Sequence, residues 1–365
     1  MRILIVDTCY QAFLAAHYGG RPGLADETYD VQWHALMGTF FGTADAYSHN
    51  LAKLGHEAHE VVVDCEPLQA AWAREHGLES ASPEEILLRQ LADFEPDVVY
   101  LQNLHVLSDE TMAALRRPGV LVAGQIASEA PPPERLRMYD LLLTSFPHFV
   151  DRFRSLGVAA EYLRIGFDER VLDHVAAEPG RHDVVFVGAL NRIRHRQGNT
   201  MLVHAARRLP LEFWGYDLRG WPPWSLLRRR YRGEAWGLEM FGVLASSRIA
   251  LNRHIHAARE YANNMRLYEA TGSGAMLLTD DAAGLGEMFE VGAEVVVYAD
   301  ADDAIAKARY YLEHDEERVA IAAAGQTRTL RDHTYARRMA ELSAMLEARM
   351  SSSQRAYAST IRSEP

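Results

Sequence analysis

The chain has 365 residues, of which 48% are hydrophobic and 24% charged, and its formal net charge is −12. That length favours two domains over one, because domains typically contain about 100–200 residues. The negative charge argues against a general nucleic-acid-binding protein, since such proteins neutralise phosphates with a basic surface. The two cysteines, Cys9 and Cys65, are too few for a disulfide framework or a four-thiolate zinc site.

The first residues, 1–7 (MRILIVD), predict a buried strand. This apolar run is too short and too quickly acidic to be a secretory signal, so we expect a cytoplasmic protein. No apolar run in the sequence approaches the roughly 18 residues needed to span a bilayer, so integral membrane association is not expected.

Short β-branched runs alternate with longer amphipathic stretches, which is typical of α/β proteins with parallel sheets. In the first half we predict strands at 3–6, 58–63, 98–101, 120–125 and 141–144. A long helical segment separates the first two strands, and Gly55 fits its C-terminal cap.

A second series opens at Asp183, with strands predicted at 184–187, 211–214, 249–251, 275–278 and 295–298. Helices are predicted at 200–208, 238–245, 265–271, 301–313 and 330–349. We therefore predict two Rossmann-like domains in tandem, residues 1–166 and 167–350, and a disordered tail at 351–365. Such a pair is expected to bind ligands in a cleft at the carboxyl ends of both sheets.

The most informative segment is 261–275, with the sequence YANNMRLYEATGSGA. It predicts a polar loop, a short helix ended by two glycines, and then a buried strand. Amides at a helix N-terminus bind anions, and Arg266 could add a bidentate phosphate contact. Glu269 lies one turn inside an otherwise apolar helix. Its carboxylate is expected to be exposed without a structural partner, and it either is solvated or binds paired hydroxyls such as a ribose diol.

Two arginine-rich segments follow strands of the second series. In 188–196 (GALNRIRHR), Gly188 lets the backbone approach a phosphate, and Arg192 and Arg194 could neutralise it. The alternative is a solvated basic loop. The second segment, with arginines at 228–230 and 232, is a surface cluster that contacts a partner, an anionic acceptor or nothing.

Polar residues also follow two strands of the first series. Tyr10 and Gln11 come after the first strand, and Asn103 and His105 come after the third. Both turns are expected at the ligand-binding edge of the sheet. His105 is the candidate acid, base or hydrogen-bond partner of a sugar, and the alternative is an incidental loop histidine.

Two segments contain metal-ligating residue types. His254 and His256 lie on one side of an extended segment but lack an obvious third ligand, and the aspartates at 300, 302 and 303 fit caps of the helix that begins near residue 301. We therefore expect no metal site.

Segment 261–275 resembles the donor-binding helix of two-domain GT-B glycosyltransferases, and it is most similar to the spore-maturation CgeB-like glycosyltransferases. Their donor segment reads N-M-R-L-[FY]-E-A-T-G-[SC]-G-A followed by L-L-T-D. The similarity extends to residues 41–51, 68–75, 122–128 and 246–252, and covers nearly the whole chain to about residue 346. It implies a GT-B fold with an interdomain cleft and transfer of a hexose from a nucleotide sugar to an acceptor that the sequence does not identify.

The resemblance also implies roles for individual residues. Glu269 would bind the donor ribose, and the acceptor would lie largely in the N-terminal domain, near Tyr10, Gln11 and Asn103. The residues implied to bind the sugar or the diphosphate are Asn263, Asn264, Met265 and Arg266. No metal or other cofactor is implied.

One position departs from the family pattern. Many retaining GT-B enzymes have a second glutamate eight positions before the first, where this chain has Tyr261. The stereochemistry of transfer therefore stays open. Two other functions also stay open, namely a catalytically inactive nucleotide-sugar-binding module and a nucleotide-sugar epimerase on the same fold.

Overall fold

A computed structural model describes residues 1–192, 196–254 and 261–363 of the chain. The chain divides into two compact units, the first formed by Met1–Arg164 and Tyr335–Pro365 and the second by Ile165–Thr334. The first boundary lies two residues before the predicted one. The predicted C-terminal domain, 167–350, is wrong in its last part, because the C-terminal helix belongs to the first unit.

The first unit contains a six-stranded parallel sheet with the order β2-β1-β3-β4-β5-β6. Its strands are β1 Arg2–Asp7, β2 Glu57–Val62, β3 Val98–Leu101, β4 Leu121–Gln125, β5 Leu141–Thr144 and β6 Ala160–Tyr162. Five of them were predicted. The sixth has three residues, two of them half-buried, so it lacks the apolar run that marks the others.

Helices cover this sheet, as parallel strands require. They are α1 Gln11–Gly19, α2 Tyr29–Met37, α3 Ala46–Lys53, α4 Glu66–Glu75, α5 Pro83–Phe94, α6 Asp109–Leu115, α7 Pro133–Leu136 and α8 Pro147–Ser155. Polar side chains cap the N-termini of two of these helices. Ser82 forms a capping box with Glu85 at α5, and Ser108 caps α6. Gly55, just after α3, has φ +87°, which agrees with its predicted capping role.

The last helix, α16, spans Tyr335–Ser363. The structure thus assigns a helix to the segment that was predicted as a disordered tail, and the printed sequence has no glycine or proline between 335 and 363 that would stop it. Tyr335, Met339, Leu342 and Leu346 form an apolar stripe at helical spacing. They pack into the core of the first unit, which explains why the chain returns there.

The second unit contains another six-stranded parallel sheet, with the order β12-β11-β10-β7-β8-β9. Its strands are β7 His182–Val187, β8 Leu211–Trp214, β9 Tyr231–Gly233, β10 Ser247–Leu251, β11 Met276–Asp280 and β12 Val296–Tyr298. Sequence analysis missed β9, because its three residues are only partly buried and include Arg232.

The helices of the second unit are α9 Arg196–Ala206, α10 Leu226–Arg230, α11 Leu238–Ala245, α12 Arg266–Gly272, α13 Leu285–Met288, α14 Ala301–Glu313 and α15 Asp315–Asp332. The Asp300 carboxylate accepts hydrogen bonds from the backbone amides of Asp302 and Asp303, which confirms its predicted role as a cap of α14. Across the described part of the chain, no helix is long and apolar enough to cross a membrane.

Glu60, in the middle of β2, is a buried carboxyl group that sequence analysis did not predict. Its side chain is fully buried, and its Oε1 atom accepts a hydrogen bond of 2.8 Å from the Ser48 amide. Its Oε2 atom has no hydrogen-bond partner among the described residues. Burial raises the pKa of Glu60 to about 8, although the Ser48 hydrogen bonds oppose the shift.

The stability of the protein should depend on pH through Glu60. Because the pKa of Glu60 is higher in the folded than in the unfolded chain, folding favours the protonated acid. Its contribution to stability is therefore lost as the pH rises from about 4.5 to about 8. Glu60→Gln should remove a slope of up to about 1.4 kcal/mol per pH unit from the unfolding free energy in this window.

Urea unfolding between pH 5 and pH 9 measures this effect. Glu57→Gln is the matched control, because Glu57 starts the same strand but is exposed and pairs with Arg2. Equal pH slopes for wild type and Glu60→Gln would contradict the prediction.

Candidate functional site

The strand order of the second sheet marks a ligand-binding position. The chain runs from β7 to β8 and β9 on one side, and then from β10 to β11 and β12 on the other, so the order reverses between β7 and β10. Ligands of open α/β sheets bind outside the carboxyl ends of the strands at such a switch point. The residues that follow β7 and β10 are therefore the first candidates.

Arg253 follows β10 by two residues and lies at this switch point. Its guanidinium is 5.6 Å from the Phe186 ring of β7, and its Nη2 atom is 3.5 Å from Asn199 Oδ1 in the first turn of α9. Gly198 makes the approach possible, since a Cβ atom there would lie 2.2 Å from the guanidinium. Two positively charged features, an arginine and a helix N-terminus, thus converge at one point.

Among the residues that the structure describes, none accepts a hydrogen bond from one donor of the Arg253 guanidinium. Its Nε atom is buried and has no hydrogen-bond partner among the described residues, and burial lowers its pKa. A buried donor without an acceptor costs free energy unless a ligand supplies the acceptor. Sequence analysis missed Arg253, although its position directly after a buried strand was a usable signal.

Gly188 and Arg192, which were predicted to contact a phosphate after β7, form hydrogen bonds with other parts of the protein. The Gly188 amide donates to the Trp214 carbonyl at 3.0 Å. A Cβ atom on Gly215, which has φ +138°, would lie 2.0 Å from the Gly188 oxygen. These glycines therefore let the ends of β7 and β8 meet.

Arg192 donates to the Gly220 carbonyl at 3.1 Å and lies 5.5 Å from the Trp221 ring. It therefore holds the loop after β8. Arg194 lies outside the described residues.

The donor segment begins beside the ends of β10 and β11. Asn264 donates to Asn252 Oδ1 at 3.0 Å and to the Arg253 carbonyl at 3.2 Å, and Asn252 donates to Thr279 Oγ1 at 3.0 Å. Asn264 Oδ1 also accepts the Leu267 amide at 3.2 Å, so one amide at the start of α12 already has an acceptor. These contacts place the donor segment next to Arg253.

Asn263 is buried, with 7% of its surface exposed, and Met265 is half-buried at the N-cap position of α12. Their placement brings both residues to the same edge of the sheet as Asn264. Their predicted contacts with the sugar or the diphosphate stay predictions.

Glu269 is not the exposed group that the sequence suggested. Only 6% of its surface is exposed, and its Oε2 atom lies 2.9 Å from Arg266 Nη1. Burial raises the pKa of Glu269, and the Arg266 charge opposes that shift. The expectation of an exposed carboxylate without a structural partner was therefore wrong, because Arg266, one turn earlier, reaches back to it.

Arg266 is correspondingly not a free phosphate ligand. Besides Glu269 it contacts the Met240 sulfur of α11 at 3.0 Å, and its Nε atom is buried without a partner among the described residues. The two residues form a buried ion pair that still has hydrogen-bonding capacity at the guanidinium.

The predicted metal candidates have other roles where they can be described. His254 Nδ1 lies 2.7 Å from Asp280 Oδ1, and the His254 amide donates to the same carboxylate at 2.9 Å. His256 lies outside the described residues. Within the described ranges, no three His, Cys, Asp or Glu side chains are grouped closely enough to hold a metal ion.

The polar residues predicted in the first unit lie at the carboxyl edge of its own sheet. Asn103 donates to Thr8 Oγ1 at 3.1 Å and accepts the His105 amide at 3.0 Å, which ties together the turns after β1 and β3. Gln11 Nε2 lies 3.3 Å from the Asp64 carboxylate, and Tyr10 is 56% exposed.

His105 is exposed, and its Nε2 atom lies 3.0 Å from the Glu129 carbonyl. When Nε2 carries the proton, it donates to that backbone oxygen and is not available as a proton acceptor. This contact joins the loop after β3, which contains His105, to the loop after β4, which contains Glu129.

Comparisons with known proteins identify the fold. The chain is similar to Anabaena HepE, solved in complex with UDP-glucose, at 13% identity over 95% of this chain and 100% of that one, with a TM-score of 0.60. It is similar to a glycosyltransferase from Rickettsia africae at 11% identity over 96% and 98%, with a TM-score of 0.61. It is also similar to AviGT4, a glycosyltransferase involved in avilamycin A biosynthesis, at 18% identity over 96% and 98%, with a TM-score of 0.58. At these identities the similarity shows the fold, which is the GT-B fold of glycosyltransferases.

The family match covers a smaller part of the chain than the structural matches do. Residues 194–344 match the family described as "Glycosyl transferase-like", so this part of the chain, which contains Arg253 and the donor segment, is glycosyltransferase-like. No curated protein matches the sequence. The finer resemblance to the CgeB-like family stays a prediction.

Proposed function

We propose that the protein is a glycosyltransferase of the hexosyltransferase type, which transfers a sugar from a nucleotide sugar to an acceptor hydroxyl. The observation that carries this proposal is the switch point of the second sheet, where Arg253 meets the first turn of α9 within the segment that is glycosyltransferase-like. This arrangement suits an anion that is held without a metal ion, because a guanidinium and helix amides supply the positive charge.

The residues around Arg253 suit the other parts of a nucleotide sugar. Glu269, in the middle of α12, has carboxylate oxygens that can accept hydrogen bonds from both ribose hydroxyls. Asn263 and Asn264 supply neutral polar groups for the sugar or the diphosphate. During transfer, negative charge grows on the leaving nucleoside diphosphate, and Arg253 would stabilise it more strongly in the transition state than in the ground state.

UDP-glucose is the first donor to test, because HepE was solved with that molecule. We expect the protein to bind at least one of UDP, ADP, GDP, CDP and dTDP in calorimetry, and to release that nucleotide slowly from its glucose conjugate when water replaces the acceptor. Nucleotide release should scale with protein concentration and occur in the presence of EDTA.

The same experiment separates the alternatives. Binding without release, with and without added sugar acceptors, would favour an inactive binding module, which the Tyr261 departure keeps under consideration. Conversion of the nucleotide sugar without nucleotide release would favour an epimerase. A protein that binds none of the five nucleotides would overturn the proposal.

A further inference from the structure

His254 directly follows Arg253 at the switch point of the second sheet, and it has no part in the contacts proposed above for the donor. Both residues come after β10, which lies between β7 and β11 in the sheet. The side chain of His254 is only 4% exposed. A buried imidazole therefore lies at the edge where ligands of open sheets bind, wholly within the second unit.

The side chains of Arg253 and His254 contact opposite neighbours of β10. Arg253 lies beside β7 and the first turn of α9, through Phe186 and Asn199. His254 Nδ1 lies 2.7 Å from Asp280 Oδ1 at the end of β11. The edge of the sheet thus has a cationic group on one side of β10 and an imidazole on the other.

Asp280 fixes the ring of His254. Besides the contact with Nδ1, its carboxylate accepts the His254 amide at 2.9 Å and the Thr279 hydroxyl at 3.2 Å. Burial by itself would raise the pKa of Asp280, but the hydrogen bonds that His254 donates outweigh it, so the pKa is lowered. An ionised carboxylate only accepts hydrogen bonds, so the proton of the neutral imidazole is on Nδ1.

The Nε2 atom of His254 is then an acceptor that lacks a donor. The atom is buried and has no hydrogen-bond partner among the residues that the structure describes. Buried polar atoms are nearly always hydrogen-bonded, so this nitrogen requires a further donor. A sugar hydroxyl supplies an O–H group, whereas a fully ionised phosphate has none.

The donor segment passes close to this nitrogen. Asn264 donates to the Arg253 carbonyl at 3.2 Å. The Ala262 amide donates to the Ala283 carbonyl, just beyond the end of β11, at 2.9 Å. Consecutive residues therefore offer a buried donor for an anion, Arg253 Nε, and a buried acceptor for a hydroxyl, His254 Nε2. A sugar that is joined to a phosphate carries both groups.

Resting on the proposed transferase function, we propose that His254 is a specificity-determining residue of the donor site, whose Nε2 atom accepts a hydrogen bond from one hydroxyl of the transferred sugar. It selects donors that carry a hydroxyl at that position, because a deoxy sugar leaves the buried nitrogen without a donor. A site that hydrogen-bonds a hydroxyl rejects the analogue lacking it much more strongly than a site that only packs against the sugar.

The test measures binding to the full chain by calorimetry. The ligands are a nucleoside diphosphate that the protein binds, its glucose conjugate, and the four monodeoxyglucose conjugates. We expect one deoxy conjugate to bind the wild type about 10-fold or more weakly than the glucose conjugate.

His254→Asn is the decisive variant. Asparagine can still donate to Asp280 in place of Nδ1, but it has no atom at the position of Nε2. The variant should bind the glucose conjugate and that deoxy conjugate equally within about twofold. Its Kd for the nucleoside diphosphate itself should stay within about twofold of the wild-type value, a pattern that a general disturbance of the site would not produce.

His204→Asn is the matched control. His204 Nε2 lies 2.8 Å from Asp302 Oδ1, so this variant also removes an imidazole that is paired with an aspartate in the second unit, but a more exposed one. It should retain the wild-type preference. A measurement on the wild type decides the matter if His254→Asn fails to fold. The nitrogen NMR signal of His254 Nε2 should shift when the glucose conjugate saturates the protein, and not when the weakly bound deoxy conjugate does.

Three results would overturn the role of His254 while nucleotide binding, and with it the proposed function, still stands. The first is equal affinity of the wild type for the glucose conjugate and all four deoxy conjugates. The second is a preference that persists in His254→Asn. The third is an Nε2 signal that the glucose conjugate leaves unchanged, since the nitrogen would then be satisfied by the protein or by a buried water. Absence of nucleoside diphosphate binding would instead overturn the proposed function itself, and the role of His254 with it.

Discussion

Replacing Glu269 by glutamine is expected to lower the affinity for a nucleoside diphosphate by roughly 10- to 150-fold. The carboxylate would accept charge-assisted hydrogen bonds from both ribose hydroxyls, together worth about 1.5–3 kcal/mol, and each 1.4 kcal/mol is a factor of ten. Glutamine keeps the size but turns one acceptor into a donor. Because the ribose is remote from the reacting carbon, the donor KM should rise more than kcat falls.

A ligand comparison identifies the contact. The wild type should bind the 2′,3′-dideoxyribonucleotide more weakly than the ribonucleotide by a similar factor, and Glu269→Gln should no longer distinguish the two. Calorimetry with both nucleotides measures this. Equal affinity of the wild type for both would show that nothing in the protein recognises the diol.

The same substitution should also lower the stability of the fold. Glu269 and Arg266 form a buried pair with 2.9 Å between their charged atoms, and removing one partner of such a pair costs about 3–5 kcal/mol when it leaves the other charge uncompensated. Glutamine retains one oxygen, so we expect a loss at or below the lower end of that range.

The double variant Arg266→Met/Glu269→Gln separates the two effects. It removes the uncompensated charge, so the unfolding free energy should recover, while the nucleotide affinity should stay low because the carboxylate is still missing. A double variant that recovers both stability and affinity would show that Glu269 acts only through the fold.

The sequence was most informative where apolar runs were long. The strands at the centre of each sheet are buried on both faces, so their β-branched runs were visible, and the helix predicted at 301–313 matches α14, Ala301–Glu313. The edge strands β6 and β9 have three residues each and depend on pairing with β5 and β8, which no local pattern encodes. The apolar stripe of α16 was also visible in the sequence, but the core that receives it was not.

For the candidate site, the sequence indicated which segments form it, but not which groups their side chains contact. The donor segment and the turns after β1, β3 and β7 could be located because polar residues follow buried strands. Whether Arg266 contacts a phosphate or Glu269 depends on side-chain geometry, and the structure shows the second. Arg253 is placed beside α9 by the pairing of β10 with β7, a contact between residues far apart in the sequence.

Replacing Arg253 by methionine is expected to lower the affinity for a nucleoside diphosphate by roughly 10- to 150-fold, because a charge-assisted hydrogen bond to phosphate is worth about 1.5–3 kcal/mol. The affinity for the nucleoside without phosphates should change by less than about twofold. This pattern differs from that of Glu269→Gln, which should weaken both ligands. Methionine keeps much of the apolar stem of the arginine side chain, so folding should be retained.

Arg248→Met is the matched control for this prediction. Arg248 lies near the start of β10, at the end opposite to the one that Arg253 follows, and it pairs with Asp183 at 3.0 Å and with Asp315. Losing it should lower the unfolding free energy without changing the affinity for either ligand. If Arg253→Met and Arg248→Met left diphosphate binding equally intact, the anion would not be bound at the switch point of the second sheet. If Arg253→Met instead weakened the nucleoside as much as its diphosphate, Arg253 would support the shape of the site and not the phosphate charge. Only a loss confined to the phosphorylated ligand, and dependent on Arg253 alone, agrees with a guanidinium that binds the leaving group of the transfer.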